Sequence, residues 1–498
     1  MLFNSADFLI FFPIVTVLYY VVPSRWKRYW LLIASYYFYM SWNPKYALLM
    51  LFSTAATFVS GLFLERINQI QAPENIVKRW RKFAVILCFG ANLAILFFFK
   101  YFNFALGVLS KTFSLFNIQL SVPAFDIILP VGISFYTFQA LGYTMDVYRN
   151  DIKAERNFFK YALFVSFFPQ LVAGPIERSE NLLNQLAMPK KFDSHQARDG
   201  FFLMLWGFFL KIVIADRAAV FVNTVYGSYT TYAGWYLIIA TLFFALQIYC
   251  DFYGYSVIAK GAAKMLGIEL MENFKAPYLA TSVSGFWQRW HISLTSWFRD
   301  YLYIPLGGSR KGTLRKYFNK LTVFLVSGLW HGANMTFVIW GGLNGLYQVM
   351  GDILKPLRDK IVATFSLNRD SLGHKLIQML WTTLLISFSW IFFRANSISE
   401  SFAIIKQIIS VKNPWILFDG GLYECGLNSK NFGFLLICIV ILFFADYCKT
   451  KNIEIRKIIQ KQDAWFRCIF IAFTLLVLLI FGMWGPGYDS SVFVYFQF

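Results

Sequence analysis

Two of the four histidines in this chain stand where an ionisable side chain is expensive. His331 lies in Ser327-Gly328-Leu329-Trp330-His331-Gly332-Ala333-Asn334, between the apolar runs LTVFLVSGLW and MTFVIWGGL. His291 lies in Ser284-Gly285-Phe286-Trp287-Gln288-Arg289-Trp290-His291-Ile292-Ser293-Leu294, also within apolar surroundings. An imidazole titrates near neutrality, so a buried one can take a proton from a hydroxyl or a thiol in a transfer reaction. It can equally be a structural histidine bonded to a neighbouring helix. His195 and His374 sit in polar, charged loops, where a solvated imidazole is expected.

On one continuous helix Trp287, His291 and Leu294 would share a face, with Arg289 and Arg299 directed elsewhere. That pattern reads either as an interfacial helix with an aromatic belt and snorkelling arginines, or as a second polar group in the cavity of His331, orienting a thioester or the base. Asp251 follows the apolar run Leu246-Gln247-Ile248-Tyr249-Cys250 and is expected to be hydrogen-bonded among Tyr249, Tyr253 and Tyr255. Glu177-Arg178 could meet a phosphate, but a surface ion pair is the expectation. The sequence carries no P-loop, no G-x-S-x-G elbow and no H-E-x-x-H, so ATP-driven transport, serine hydrolysis and zinc proteolysis lack their usual support. The six cysteines show neither C-x-x-C nor Cys/His spacing, so no metal site is expected.

The elements that must position these residues are membrane helices. Of 498 residues 58% are hydrophobic, 20% aromatic and only 14% charged, with a mean hydropathy of +0.53. A water-soluble core of this size could not hide that much apolar surface, and an all-α polytopic integral membrane protein follows. The net charge of +20 is read as loop charge that sets orientation rather than as a nucleic-acid footprint, and no nucleic-acid partner is expected.

Apolar runs at 7–22, 29–42, 46–63, 83–100, 201–221, 233–250, 376–393, 433–447 and 466–485 predict spanning helices. Runs broken by Gly, Pro or polar residues at 102–118, 124–144, 159–173, 255–268, 285–298, 321–331 and 333–350 predict a cavity-forming middle of the chain, because broken backbone at membrane depth must be buried in protein or line a cavity. The polar stretch 176–200 reads as a loop or surface helix. Together these predict roughly 11–15 transmembrane or re-entrant helices. The divisions expected are 1–120 for N-terminal helices, 121–351 for the catalytic core with both histidines, and 352–498 for C-terminal helices.

The basic loops around Arg25/Lys27/Arg28, Lys78/Arg79/Arg81/Lys82, Arg310/Lys311/Arg315/Lys316 and Lys449/Lys451/Arg456/Lys457/Lys461 are placed on the cytoplasmic side, which leaves both termini outside. The N-terminus reads as a retained first helix. Basic segments flank 321–351 on both sides, which predicts an even number of crossings or a re-entrant pair with His331-Gly332-Ala333-Asn334 at the turn.

Two long motifs then carry a resemblance. SGFWQRWHISLTSWFRDYLYIPLGGSRKG, followed about thirty residues on by VSGLWHGANMTFVIWGGLNG, resembles the membrane-bound O-acyltransferase superfamily. LPVGISFYTFQALGYTMDVYR (129–149), FPQLVAGPIER (168–178), DFYGYSVIAKGAAKMLGI (251–268), WIFFRANS (390–397), VYFQF (494–498) and the opening MLFNSADFLIFF are similar to its bacterial alginate O-acetyltransferase branch.

The resemblance implies a ring of helices around a central tunnel. It implies that His331 is the catalytic histidine and His291 the second active-site residue. Trp330, Asn334, Arg289 and Trp287 are expected to shape the tunnel. It also implies a membrane-embedded O-acyltransferase of the bacterial inner membrane, surrounded by lipid. Such an enzyme takes an acyl group, usually acetyl from cytoplasmic acetyl-CoA, and passes it across the membrane. A partner protein outside the cytoplasm then places it on a polysaccharide hydroxyl, as in alginate. The donor thioester carries the activation, so no tightly bound cofactor is expected. D-alanyl transfer from a carrier protein to teichoic acid would use the same two histidines. A transporter or flippase with a midplane site is the rival from another class, against which stand the absence of an inverted repeat and the few intramembrane charges.

Overall fold

A computed structural model describes residues 1–119, 130–172 and 174–484, and every regular element among them is helical. The start of the 124–144 run and the terminal 494–498 motif lie outside the described residues. Among the described residues six helices are long and apolar enough to cross a membrane: Tyr46–Asn68, Glu74–Ser114, Trp235–Met265, Leu372–Arg394, Ser429–Thr450 and Ala464–Phe481, with Ala6–Val21 a shorter apolar helix. Their outward faces explain the composition. In Ala464–Phe481 Leu478 is the one buried residue, while Phe473, Leu476, Leu479 and Ile480 are exposed. Side chains of that size in a row are stable against hydrocarbon and not against water.

The described chain forms two units, residues 1–201 with 259–271, and 202–258 with 272–498. In the first, Lys27–Met40 packs on Phe158–Ser166, and Tyr46–Asn68 lies against Ile133–Arg149, with Gly61 giving way to the Tyr143 ring. Glu177 is 3% exposed and does not form the expected surface ion pair. Its carboxylate accepts the backbone N–H of Met271 and the side-chain amide of Asn181 instead. Burial raises the Glu177 pKa above its ordinary value, opposed by those two donors.

The second unit holds both buried histidines. Two of its elements depart from the sequence reading, each for a local reason. The runs 233–250 and 255–268 are one 31-residue helix, Trp235–Met265. The polar break at Asp251 does not interrupt it because the carboxylate is neutralised in place: Lys211 Nζ lies 2.7 Å from Asp251 and 2.8 Å from Asp216. Lys211 is thus a partner of Asp251 that the sequence reading did not name. It sits in a π-helical segment, Phe209–Ala215, and Gly207 and Gly254 let the two backbones approach closely there. The second departure is at His291, described below.

The 321–351 interval folds as expected. Thr313–His331 and Met335–Ile353 form a hairpin with Gly332-Ala333-Asn334 at the turn, and its two open ends meet where Lys316 and Lys320 lie 2.6 and 2.8 Å from Asp352. The arms touch backbone to backbone. A side-chain carbon on Gly328 would overlap the carbonyl oxygen of Phe337, and one on Gly341 that of Phe324. Small residues are what permit such an approach between membrane helices.

Two outcomes follow. Gly328→Val should destabilise the fold by about 1–3 kcal/mol through overpacking, read as a lower unfolding midpoint in detergent; an unchanged midpoint would refute the close contact. Lys211→Met leaves two buried carboxylates without their cation and should cost about 3–5 kcal/mol. Adding Asp216→Asn and Asp251→Asn should recover most of that loss, and a triple variant as unstable as the single one would contradict the triad.

Candidate active site

The apolar segment 283–298 is not one helix. Val283–Trp287 is a single turn, the chain then breaks, and Ile292–Phe298 starts afresh with His291 as its N-cap at φ 43°, ψ 54°. Trp287, His291 and Leu294 therefore do not share a continuous helical face. A left-handed conformation in a residue with a Cβ costs roughly 1–2 kcal/mol, and it persists only where surrounding contacts over-determine it.

Those contacts come from Asn273. Its backbone carbonyl accepts the N–H of Ile292 at 2.9 Å. Its side-chain oxygen lies 3.2 Å from His291 Nδ1, accepts the backbone N–H of Ser293 at 3.2 Å and accepts the Ser293 hydroxyl at 2.8 Å. A backbone N–H can only donate, so the atom of Asn273 facing this site is the oxygen, and the ring nitrogen beside it must be the protonated one. In the neutral ring this donation puts the hydrogen on Nδ1 and the lone pair on Nε2. Lys449 fixes Asn273 from behind: its Nζ donates to the carbonyl of Phe274 at 2.7 Å and pairs with Glu272 at 2.9 Å, one residue on either side.

His291 and His331 are 1% and 6% exposed, and Trp330, 4% exposed, touches both. Its ring centroid is 5.9 Å from His291 and 4.9 Å from His331, edge-on in each case. His331 is the last residue of Thr313–His331, the end of a helix at which positive charge is favoured. Trp340 and Phe393 close its other sides at 5.0 and 5.4 Å. Phe252 packs edge-on against His291 at 4.6 Å. A wall of Trp340, Trp390 and Trp290 extends the aromatic lining, with Trp340 stacked on Trp390 at 5.6 Å and Trp390 against Trp290 at 5.3 Å.

Of the residues singled out in the sequence, His291, Trp330 and His331 are brought together. Trp287 joins them through Trp340, 5.7 Å away, and donates its indole N–H to Asn344 at 3.2 Å. Asn334 caps the second arm of the hairpin by accepting the Thr336 N–H, and its amide donates to the Asn396 carbonyl at 2.8 Å. Arg289 is partly exposed, and its carbonyl accepts the Lys275 N–H at 2.9 Å. His195, exposed, and His374, partly exposed, lie not in loops but in the first turns of the helices Ser194–Phe208 and Leu372–Arg394. Asn273, Trp340, Phe393 and Lys449 were not singled out for the site. Asn273 and Lys449 act through contacts distant in sequence, and the two aromatics are lost among a 20% aromatic composition.

Two imidazoles in an apolar, aromatic enclosure, one with a fixed tautomer and one at a helix C-terminus, suit proton transfer during acyl exchange. Residues 151–393, which include both, match the MBOAT, membrane-bound O-acyltransferase family. Over its full length the chain is 33% identical to a probable alginate O-acetylase of Pseudomonas putida, which is covered completely. It is 30% identical to a peptidoglycan O-acetyltransferase of Helicobacter pylori, with 100% of this chain and 98% of that protein covered. A teichoic acid D-alanyltransferase of Bacillus subtilis is 27% identical over 44% of this chain and 58% of its own length. Full-length likeness of this degree, together with the apolar helices, settles the class: the chain belongs to the membrane-bound O-acyltransferase family and is a multi-pass membrane acyltransferase.

Proposed function

We propose that this acyltransferase takes an acetyl group from a cytoplasmic thioester such as acetyl-CoA and passes it across the bacterial inner membrane for O-acetylation of a polysaccharide outside, with His331 as general base. The observation that carries this reading is the pair of buried imidazoles on one indole, Trp330. The full-length relatives named for O-acetylation support acetyl as the group, whereas the D-alanyltransferase match covers less than half of the chain. A partner protein outside the membrane would complete delivery to an acceptor such as alginate, and both chain termini would lie on that side.

The chemistry balances without a metal or bound cofactor, because the thioester supplies the activation. The acceptor hydroxyl attacks the thioester carbonyl carbon, a C–O bond forms, and the C–S bond breaks. His331 takes the hydroxyl proton and returns it to the departing thiolate, giving an O-acyl ester and a free thiol. The imidazolium formed in between sits at a helix C-terminus, where its charge is favoured. His291, accepting at Nε2, orients the reacting group beside it, and the aromatic wall excludes water that would hydrolyse the thioester.

Purified protein in nanodiscs with acetyl-labelled acetyl-CoA tests the reading. Wild type should release CoA and transfer label, and a folded His331→Ala variant should be slower by about 10²–10⁴. Equal rates in the two would remove His331 from catalysis, and turnover with a D-alanyl carrier but not acetyl-CoA would replace the acetyl assignment. Asn273 is a positioning residue, and Asn273→Ala should lower kcat about tenfold, one hydrogen bond's worth, with KM unchanged. Asn273→Asp keeps the acceptor and should restore most of kcat; if both variants lose activity equally, the tautomer argument is wrong.

A further inference from the structure

The first unit contains a cavity of about 250 Å³ with a chemistry unrelated to the histidines. Arg25, Lys27 and Arg28 line it together with Ser24, Tyr29 and Gln185, and no aspartate or glutamate does. Three cations with no counter-ion in one small cavity repel each other unless an anion enters. Lys27 is 7% exposed and already committed: its Nζ donates to the Lys190 carbonyl at 2.8 Å and lies over the Tyr19 and Tyr20 rings at 5.1 and 5.3 Å. Arg28 reaches the Ala187 carbonyl only at 3.5 Å, and its Nε is buried without a hydrogen-bond partner among the described residues.

The local backbone adds to the demand. Lys27 and Arg28 open the 14-residue helix Lys27–Met40, whose N-cap, Trp26, makes no side-chain capping bond and whose first turn holds no acidic residue. A helix N-terminus favours negative charge, so two cations there are misplaced unless an anion joins them. The rim indicates what kind of anion. Trp26 and Met188 are 52% and 69% exposed, and Trp26, Tyr29 and Phe159 form a ring-to-ring string at 5.6 and 5.4 Å. Exposed aromatics beside basic side chains at the start of an apolar helix are the chemistry of the headgroup level of a bilayer. A soluble phosphate would have no use for them.

We propose that this cavity binds the phosphate of an anionic membrane phospholipid, with Arg25 and Arg28 on the headgroup and the aromatic string against the acyl chains. The test uses the full-length protein in mild detergent, titrated with phosphatidylglycerol, phosphatidylcholine, inorganic phosphate or CoA, and read by native mass spectrometry and by unfolding midpoint. Phosphatidylglycerol should bind saturably at one site. Arg25→Gln and Arg28→Gln should each weaken it about five-fold, and Arg28→Lys should lose less. Lys78→Gln with Arg79→Gln removes two charges, more than either arginine variant, from the start of the helix Glu74–Ser114 and should leave binding unchanged. Arg25 is exposed, so Arg25→Gln alone keeps the test open if the Arg28 variants misfold. Equal weakening by the Lys78/Arg79 control, or no saturable binding, would overturn the site. Binding of phosphate or CoA with the same arginine dependence would overturn its assignment to lipid.

Discussion

The side-chain oxygen of Asn273 gathers three donors: a ring nitrogen of His291 and both the backbone and hydroxyl of Ser293. That convergence, with the Ile292 N–H on the Asn273 carbonyl and the Phe252 ring against the imidazole, holds His291 in its left-handed conformation with its ring beside Trp330. A polar break of this kind is tolerable in an apolar environment only when every freed backbone group finds a partner within the protein. Here the Ile292 N–H goes to the Asn273 carbonyl and the Lys275 N–H to the Arg289 carbonyl, so two stretches of irregular chain satisfy each other.

The second histidine is held by a different kind of constraint. His331 ends one arm of a hairpin whose backbones meet at Gly328 and Gly341, and the turn is fixed by Asn334, which caps the next helix and reaches the Asn396 carbonyl. Close backbone approach fixes the height of the imidazole, and the Trp340 and Phe393 rings fix its lateral position. Hydrogen bonds thus position one histidine and packing the other, and Trp330 is the shared wall where the two schemes meet. A rigid enclosure of this sort lowers the reorganisation that proton transfer would otherwise demand.

Much of this was legible in the sequence where the signal is local. Long apolar runs gave the helices, and the basic residues on both sides of 321–351 together with His331-Gly332-Ala333-Asn334 gave the hairpin and its turn. Their rarity in apolar runs, and the family motifs around them, marked the two histidines. Long-range pairing was not legible. Helical spacing through His291 assumed a continuous helix, and the residue that breaks it lies eighteen positions upstream. Lys211 is hidden in the apolar run that also contains Phe209 and Ile212, and its partner Asp251 is forty residues away, so the polar break that ought to end a helix instead sits in the middle of one. Lys449 read as loop charge, yet it anchors the residues on either side of Asn273. Charges in a membrane protein carry two messages, orientation and pairing, and composition reports only the first.

The most direct measurement is the structure of the full-length protein bound to a non-transferable acetyl-CoA analogue in which a methylene replaces the thioester sulfur. With His331 as general base, the analogue's carbonyl carbon should lie beside the His331 imidazole with room for an attacking hydroxyl about 3–3.5 Å away, and with Trp330 alongside. An analogue bound with its carbonyl against neither histidine would contradict that role.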